Sequence, residues 1–165
     1  MYSYNAYGLE IASSLCLPEL IEQDRRRPDV IIRLDAVSNA PAPRDDGYAS
    51  GWVKPNDTCF TLPRIGTLSI RNGSEIIMQP AAEADDSVCR LYLLGPAIAM
   101  RLHQRGYLVL HASAIVIHGR AVAFMAEKGE GKSTMAASLR QRGHPLLTDD
   151  IVALDMSGEK PLAFS

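Results

Sequence analysis

Short apolar runs separated by turn-forming residues fill the first half of the chain and predict a β-rich region. The predicted strands share alternating or continuous apolar residues, and they lie around 7–11, 29–34, 58–62, 66–71 and 74–78. Asn72-Gly73 separates the last two runs, and because both residues accept positive φ, the pair predicts a type I′ hairpin. Residues 38–46 include two prolines and predict a loop.

The pattern changes near residue 90, where we expect a domain boundary. Residues 1–90 form the β-rich N-terminal region, and 91–165 form a second, α/β domain. An acidic, alanine-rich connector covers 80–86. Pro96 is expected to open a helix at its first turn, and Gly106 is expected to end it.

Two apolar runs on either side of His118-Gly119 predict a hairpin that leads into a buried strand at 121–125. A helix is predicted over 133–142, with Gly143 as its C-terminal stop. Between that strand and that helix lies a segment with the spacing of a phosphate-binding loop, G-x-x-x-x-G-K-[S/T]. Its candidate nucleotide-binding residues are Ala126, Glu127, Lys128, Gly129, Glu130, Gly131, Lys132, Ser133 and Thr134.

Residue type predicts a role for several loop positions. Gly129 and Gly131 let the backbone curl around a β-phosphate because neither has a Cβ. Lys132 places a compact positive charge on the β- and γ-phosphates, and Ser133 is the candidate magnesium ligand. Ala126 replaces the first glycine of the motif, which is tolerated only where φ stays negative. A glycine-rich turn that binds nothing is the alternative.

Two adjacent carboxylates, Asp149 and Asp150, end the apolar run that follows His144. A strand returning beside the loop strand would bring both near the nucleotide. One carboxylate can hold magnesium, and the other can accept a proton from an attacking hydroxyl. The alternative is that one or both cap a turn between strands.

Three further histidines differ in their setting. His111 lies in an apolar strand, where a histidine is more often structural than catalytic. His103, on a helix, and His118, at a turn, are expected at the surface, and neither is assigned a role.

The stretch from about Leu110 to Leu154 resembles the catalytic domain of the HPr kinase/phosphorylase family. His111, the loop at 129–133, the Arg-Gly-His at 142–144 and the Asp149-Asp150 pair follow the order and spacing of that family. The resemblance implies a P-loop α/β fold akin to phosphoenolpyruvate carboxykinase. It also implies ATP and Mg²⁺ as cofactors.

The same resemblance implies roles for single residues. Lys132 and Ser133 would serve ATP and magnesium, Asp150 would be the proton acceptor, and His111 would lie in the active site near the phosphates. We expect Asp149 to be a magnesium ligand or an orienting residue beside it. The implied reaction is phosphorylation of a serine hydroxyl on a small protein.

The N-terminal half does not resemble the usual regulatory domain of bacterial HPr kinases. Short strings at 7–11, 17–20, 93–96 and 102–106 are similar to HPr-kinase-related proteins of lasso-peptide biosynthesis clusters, some of which phosphorylate a precursor peptide. The end of the chain falls within an expected sheet, before a further magnesium-binding carboxylate of the family. We therefore expect only the N-terminal part of the catalytic domain, truncated at its C-terminal side, and such a fragment can be inactive.

Composition excludes several functions. The chain has 165 residues, 47% of them hydrophobic, and a net charge of −2, so neither nucleic acid nor a membrane surface is an expected partner. The three cysteines, Cys16, Cys59 and Cys89, have no metal-site spacing and are expected to be reduced core residues of a cytoplasmic protein. The charged triplet Arg25-Arg26-Arg27 predicts an exposed loop, and a substrate-docking role is the less favoured alternative.

The sequence does not determine the oligomeric state, and a homo-oligomer is one alternative.

Three functions therefore compete. The first is an ATP-dependent serine kinase acting on a peptide or small protein, which a strand edge of the N-terminal region could hold. The second is an HPr kinase/phosphorylase that regulates carbohydrate metabolism. The third is a non-catalytic ATP-binding module whose nucleotide state controls docking to a partner.

Overall fold

The computed structural model describes residues 1–24, 27–127 and 129–165. It is a mixed α/β chain with one large sheet and few helices, as the sequence predicts. Two compact units follow each other, Met1–Arg105 and Gly106–Ser165.

Some predicted features lie outside the described residues. These are Arg25 and Arg26 of the basic triplet and Lys128 of the phosphate loop. Arg27, the last arginine of the triplet, is exposed. The domain boundary near residue 90 stays a prediction, although the division into compact units comes later, after Arg105.

The first unit contains a seven-stranded mixed sheet. Its strands are β1 (Tyr2–Ala6), β2 (Leu9–Ser13), β3 (Val30–Leu34), β4 (Ser50–Lys54), β5 (Asp57–Leu62), β6 (Gly66–Arg71) and β7 (Glu75–Pro80). Their order in the sheet is β1-β2-β3-β7-β6-β5-β4. β3 runs parallel to β2 and β7, and the other neighbours are antiparallel. Side chains at alternate positions are fully buried, for example Val30 and Ile32 in β3.

Two hairpin turns of this sheet were predicted with different success. The Asn72-Gly73 hairpin is confirmed, because both residues have positive φ (52° and 55°) and join β6 to antiparallel β7. The single strand expected around 7–11 is wrong. Tyr7 and Gly8 form a turn with φ of 54° and 68°, so the segment is a second hairpin that joins β1 to β2.

The helical segment of the first unit begins earlier than predicted. α1 (Asp86–Tyr92) starts at the N-cap Asp85, whose carboxylate accepts the Val88 N–H at 3.0 Å. Pro96 does not open a helix: it lies inside a π-helical turn, Leu93–Ala97, that leads into α2 (Ile98–Gln104). A wider π turn can accommodate the missing proline N–H within a continuous helical segment.

The described residues of the second unit form two three-stranded antiparallel sheets and one helix. Its elements are β8 (Leu108–His111), β9 (Ser113–Ile117), β10 (Arg120–Phe124), α3 (Lys132–Gln141), β11 (Leu146–Thr148), β12 (Ile151–Asp155) and β13 (Leu162–Phe164). One sheet has the order β10-β9-β11 and the other β13-β12-β8. The predicted hairpin of β9 and β10 is confirmed, with His118 and Gly119 at positive φ in its turn. The expectation that the strand after this turn is buried is wrong, because every residue of β10 is exposed or partly exposed.

The returning strand of this unit differs from the expectation. β11, which precedes the acid pair, was expected beside the loop strand β10, but it pairs with β9 instead. β9 therefore separates β11 from β10. A small apolar core of Ala112, Ala114 and Val152 holds the unit together, and Ala136 is the buried residue of α3.

The prediction that all three cysteines are buried is correct for two of them. All three are free thiols, and Cys59 and Cys89 are buried, but Cys16 is exposed. The expectation that Cys16 is a core residue is therefore wrong. Burial raises the pKa of both the Cys59 and the Cys89 thiol. None of the helices formed by the described residues has the length and apolar character that a membrane crossing requires.

Candidate active site

The chain passes between the two sheets of the second unit at two neighbouring points. β8 ends at His111 and β9 begins at Ser113, so Ala112 leads from one sheet to the other. Asp149-Asp150 makes the second passage, between β11 and β12. The Ala112 N–H donates to the Asp150 carbonyl oxygen at 3.0 Å, so the two passages lie side by side.

Each carboxylate of the acid pair has its own partner at this junction. The buried Ser113 hydroxyl donates to Asp149 Oδ1 at 2.6 Å. His111 Nδ1 lies 2.9 Å from Asp150 Oδ1, and these two side chains are 68% and 64% exposed. The two aspartates therefore differ in their partners. Asp149 accepts a hydrogen bond from a buried serine, and Asp150 pairs with an exposed histidine.

The phosphate loop has the backbone shape that its glycines predict. Gly129 and Gly131 have φ of 93° and 87°, a left-handed conformation that side-chain-bearing residues rarely adopt. Gly131 is also the N-cap of α3, whose first residue is Lys132. The described residues with positive φ do not include Ala126, which meets the condition for replacing the motif's first glycine.

Hydrogen bonds within the loop involve the Lys132 ammonium and the Glu130 carboxylate. The Lys132 ammonium donates to the carbonyl oxygens of Ala126 and Glu127, at 2.7 and 3.1 Å. The Glu130 carboxylate accepts the Glu127 N–H at 2.9 Å. A phosphate is a stronger partner for an ammonium than a neutral carbonyl is, so Lys132 can exchange these bonds for phosphate contacts.

An open cleft of about 420 Å³ connects the loop with the sheet junction. Its volume lies within the range of small-molecule sites. Among the described residues, those that line it are His111, Gly129, Gly131, Lys132, Ser133, Thr134, Asp149 and Asp150. The structure thus brings together the predicted catalytic and metal-binding residues, although they are far apart in the sequence. Ala126, Glu127 and Glu130 belong to the same loop but are not among the lining residues.

Sequence reasoning missed Ser113. The local signal was a single polar residue, Ser113, at the start of the otherwise apolar strand β9, Ser113–Ile117. His103 and His118 are exposed and are not among the described residues that line the cleft, in line with the surface positions expected for them.

Comparison with known proteins adds an independent observation. The chain is 39% identical over 59 residues to the HPr kinase/phosphorylase of Chlorobium phaeobacteroides, covering 36% of this chain and 17% of that protein. It is 35% identical over 75 residues to the HPr kinase/phosphorylase of Prosthecochloris aestuarii, covering 46% and 22% of the two chains. The corresponding protein of Chlorobaculum tepidum is 40% identical over 53 residues, or 32% and 16%. The resemblance to HPr kinase/phosphorylases is confirmed.

This similarity is partial. The chain spans between 16% and 22% of the length of these curated relatives. No protein-family model matches the chain. No solved structure matches it either.

Proposed function

We propose that this chain carries the nucleotide site of an ATP-dependent serine kinase of the HPr kinase type, with a P-loop catalytic fold. The observation that supports the proposal most is the cleft in which the phosphate loop faces His111, Asp149 and Asp150. A phosphate loop alone would be compatible with many nucleotide-binding proteins. A carboxylate at the same cleft can serve as the base that accepts the hydroxyl proton during phosphoryl transfer.

In the proposed reaction, the substrate hydroxyl gives its proton to Asp150 as its oxygen attacks the γ-phosphorus. The bond from γ-phosphorus to the β,γ-bridging oxygen breaks, and ADP leaves. The exposure of the Asp150 carboxylate allows a substrate hydroxyl to reach it. His111 Nδ1 lies 2.9 Å from Asp150 Oδ1 and orients this carboxylate.

The donor set around the cleft fits magnesium. The described residues hold no cluster of three or more His, Cys, Asp or Glu side chains able to bind a metal without help. Magnesium, however, commonly takes one or two protein oxygens and completes its shell with phosphates and water. The Ser133 hydroxyl and the Asp149 carboxylate are two such oxygens at one cleft. When bound, the ion would neutralise charge on the phosphates.

Calorimetry tests the nucleotide site directly. The chain should bind ATP with Mg²⁺, and binding should weaken when EDTA removes the metal. A folded protein that binds neither ATP nor ADP would contradict the proposal. Binding without any phosphoryl transfer by the full-length protein would favour the non-catalytic module.

For the substrate, we propose a serine on a peptide, of the kind found in lasso precursor peptides. β4 supports an extended ligand, because it is an edge strand that pairs only with β5 among the described strands. Val53 in β4 is 68% exposed, and Tyr48 nearby in sequence is 73% exposed. Backbone pairing at such an edge is nearly independent of sequence, and exposed apolar side chains add contact area.

The names of the relatives favour a second candidate substrate, the protein HPr. Mass spectrometry separates the two candidates. The full-length enzyme is incubated with ATP and either a serine-containing precursor peptide or HPr, and the phosphorylated serine is mapped. Phosphate on the peptide supports the first candidate. Phosphate on HPr with the peptide unmodified would overturn it.

A further inference from the structure

We propose that Ser113 is a positioning residue, which orients the Asp149 carboxylate toward a magnesium-bound nucleotide. The inference rests on the proposed nucleotide site and assigns a role to a residue outside the phosphate loop and the acid pair. Its basis is the 2.6 Å hydrogen bond from the Ser113 hydroxyl to Asp149 Oδ1.

The hydroxyl is held rigidly. Ser113 is fully buried and is the first residue of β9, the central strand of its sheet. On one side it pairs with Phe124 of β10, and the next residue, Ala114, pairs with Thr148 of β11 on the other. A serine fixed in this way can hold a neighbouring carboxylate in one rotamer, whereas an exposed donor could not.

The carboxylate keeps free acceptors after this bond forms. A hydroxyl has one proton, which Ser113 uses on Oδ1 of Asp149. A carboxylate has about four acceptor positions, so Asp149 still offers most of them to the cleft that it lines. Outer donors of this type orient metal-binding carboxylates and raise metal affinity.

The contrast with the neighbouring acid supports a division of labour. Asp150 pairs with an imidazole at the surface, whereas Asp149 pairs with a neutral, buried hydroxyl. A hydroxyl keeps its proton throughout the physiological pH range and adds no charge that would weaken attraction of a cation. A buried, neutral hydroxyl therefore suits an acid that must keep one orientation.

The test measures metal binding without turnover. Mn²⁺ replaces Mg²⁺ as an electron paramagnetic resonance probe, and its affinity is measured with ADP and the full chain. We expect Ser113→Ala to weaken Mn²⁺ binding by about 10-fold or more, the lower end of the loss typical for such outer partners. Ser113→Thr keeps the hydroxyl and should restore most of the affinity. When both proteins are measured in EDTA, Ser113→Ala and the wild type should bind ADP with similar affinity.

Two further variants separate positioning from a general effect on folding. Ser69→Ala removes a buried strand serine of the first unit and should leave Mn²⁺ affinity unchanged. Asp149→Asn should weaken Mn²⁺ binding by itself. Adding Ser113→Ala to it should lower the Mn²⁺ affinity little further, because no metal-binding carboxylate is left for the hydroxyl to orient.

The outcomes are distinguishable. Equal Mn²⁺ affinity in wild type and Ser113→Ala would overturn this inference while leaving the nucleotide site intact. Fully additive losses in the double variant would overturn it as well, because they indicate independent effects. If the wild-type chain binds no nucleotide at all, the proposed function fails first, and this inference fails with it.

Discussion

The most direct perturbation of the proposed site is Lys132→Ala. In the structure the Lys132 ammonium bonds to two carbonyl oxygens of its own loop, those of Ala126 and Glu127. Both residues are exposed, so water can replace the ammonium there when the side chain is truncated. We therefore expect the variant to fold and to melt within a few degrees of the wild type.

The effect on nucleotide binding should be much larger. A hydrogen bond to a charged group contributes about 1.5–3 kcal/mol net. Since about 1.4 kcal/mol corresponds to a tenfold change in affinity, losing the Lys132–phosphate contact should weaken ATP binding by about 10- to 150-fold. The loss is smaller than for an ammonium without other partners, because Lys132 must give up two carbonyl contacts to reach the phosphate.

Calorimetric titration of Mg-ATP into both proteins measures this difference. Lys160→Ala is the matched control, since Lys160 is an exposed lysine of the same unit that is not among the cleft-lining residues. Lys132→Arg tests geometry, because it keeps the charge but replaces a compact ammonium with a planar fork. Lys132→Ala with an affinity within about twofold of wild type, or an equal loss in Lys160→Ala, would refute the reasoning.

Three further outcomes are expected. Asp150→Asn in the full-length enzyme should lower the phosphoryl-transfer rate by about 10²–10⁴-fold while ATP affinity is kept; normal turnover would rule out Asp150 as the base. Gly131→Ala should lose nucleotide affinity in titrations although its Cβ would meet no atom within 4 Å, because φ of 87° disfavours a side chain; unchanged affinity would count against the predicted loop conformation. In native protein at pH 8, a thiol reagent should label Cys16 before Cys59 and Cys89, since burial shields those two and raises their pKa, which reduces the thiolate fraction; simultaneous labelling of all three would contradict the buried positions.

Local sequence predicted those parts of the fold that depend on local conformation. Asn72-Gly73 and His118-Gly119 form hairpin turns because both residues of each pair adopt positive φ, a property of the residues themselves. Tyr7-Gly8 forms a turn of the same kind, but a tyrosine rarely takes positive φ, so the pattern around it indicated one strand.

Elements that depend on contacts between distant parts of the sequence were harder to predict. Pro96 is normally evidence for a helix start, yet a π turn incorporates it into a continuous helical segment. The pairing of β11 with β9 depends on sheet order, which no single segment of the sequence encodes. For the same reason Ser113 could not be selected in advance, because its partner lies 36 positions away in the chain.

The position of the candidate site follows from strand register. His111 is opposite Ile151 in one sheet, and Ala114 is opposite Thr148 in the other. These two pairings bring the passage at Ala112 beside the passage at Asp149-Asp150. Because side chains alternate between the faces of a strand, a shift of either pairing by one residue would turn a partner of the acid pair away from it. The buried alanines and valine of the small core oppose such a shift, so apolar packing in the second unit determines which polar groups meet at the cleft.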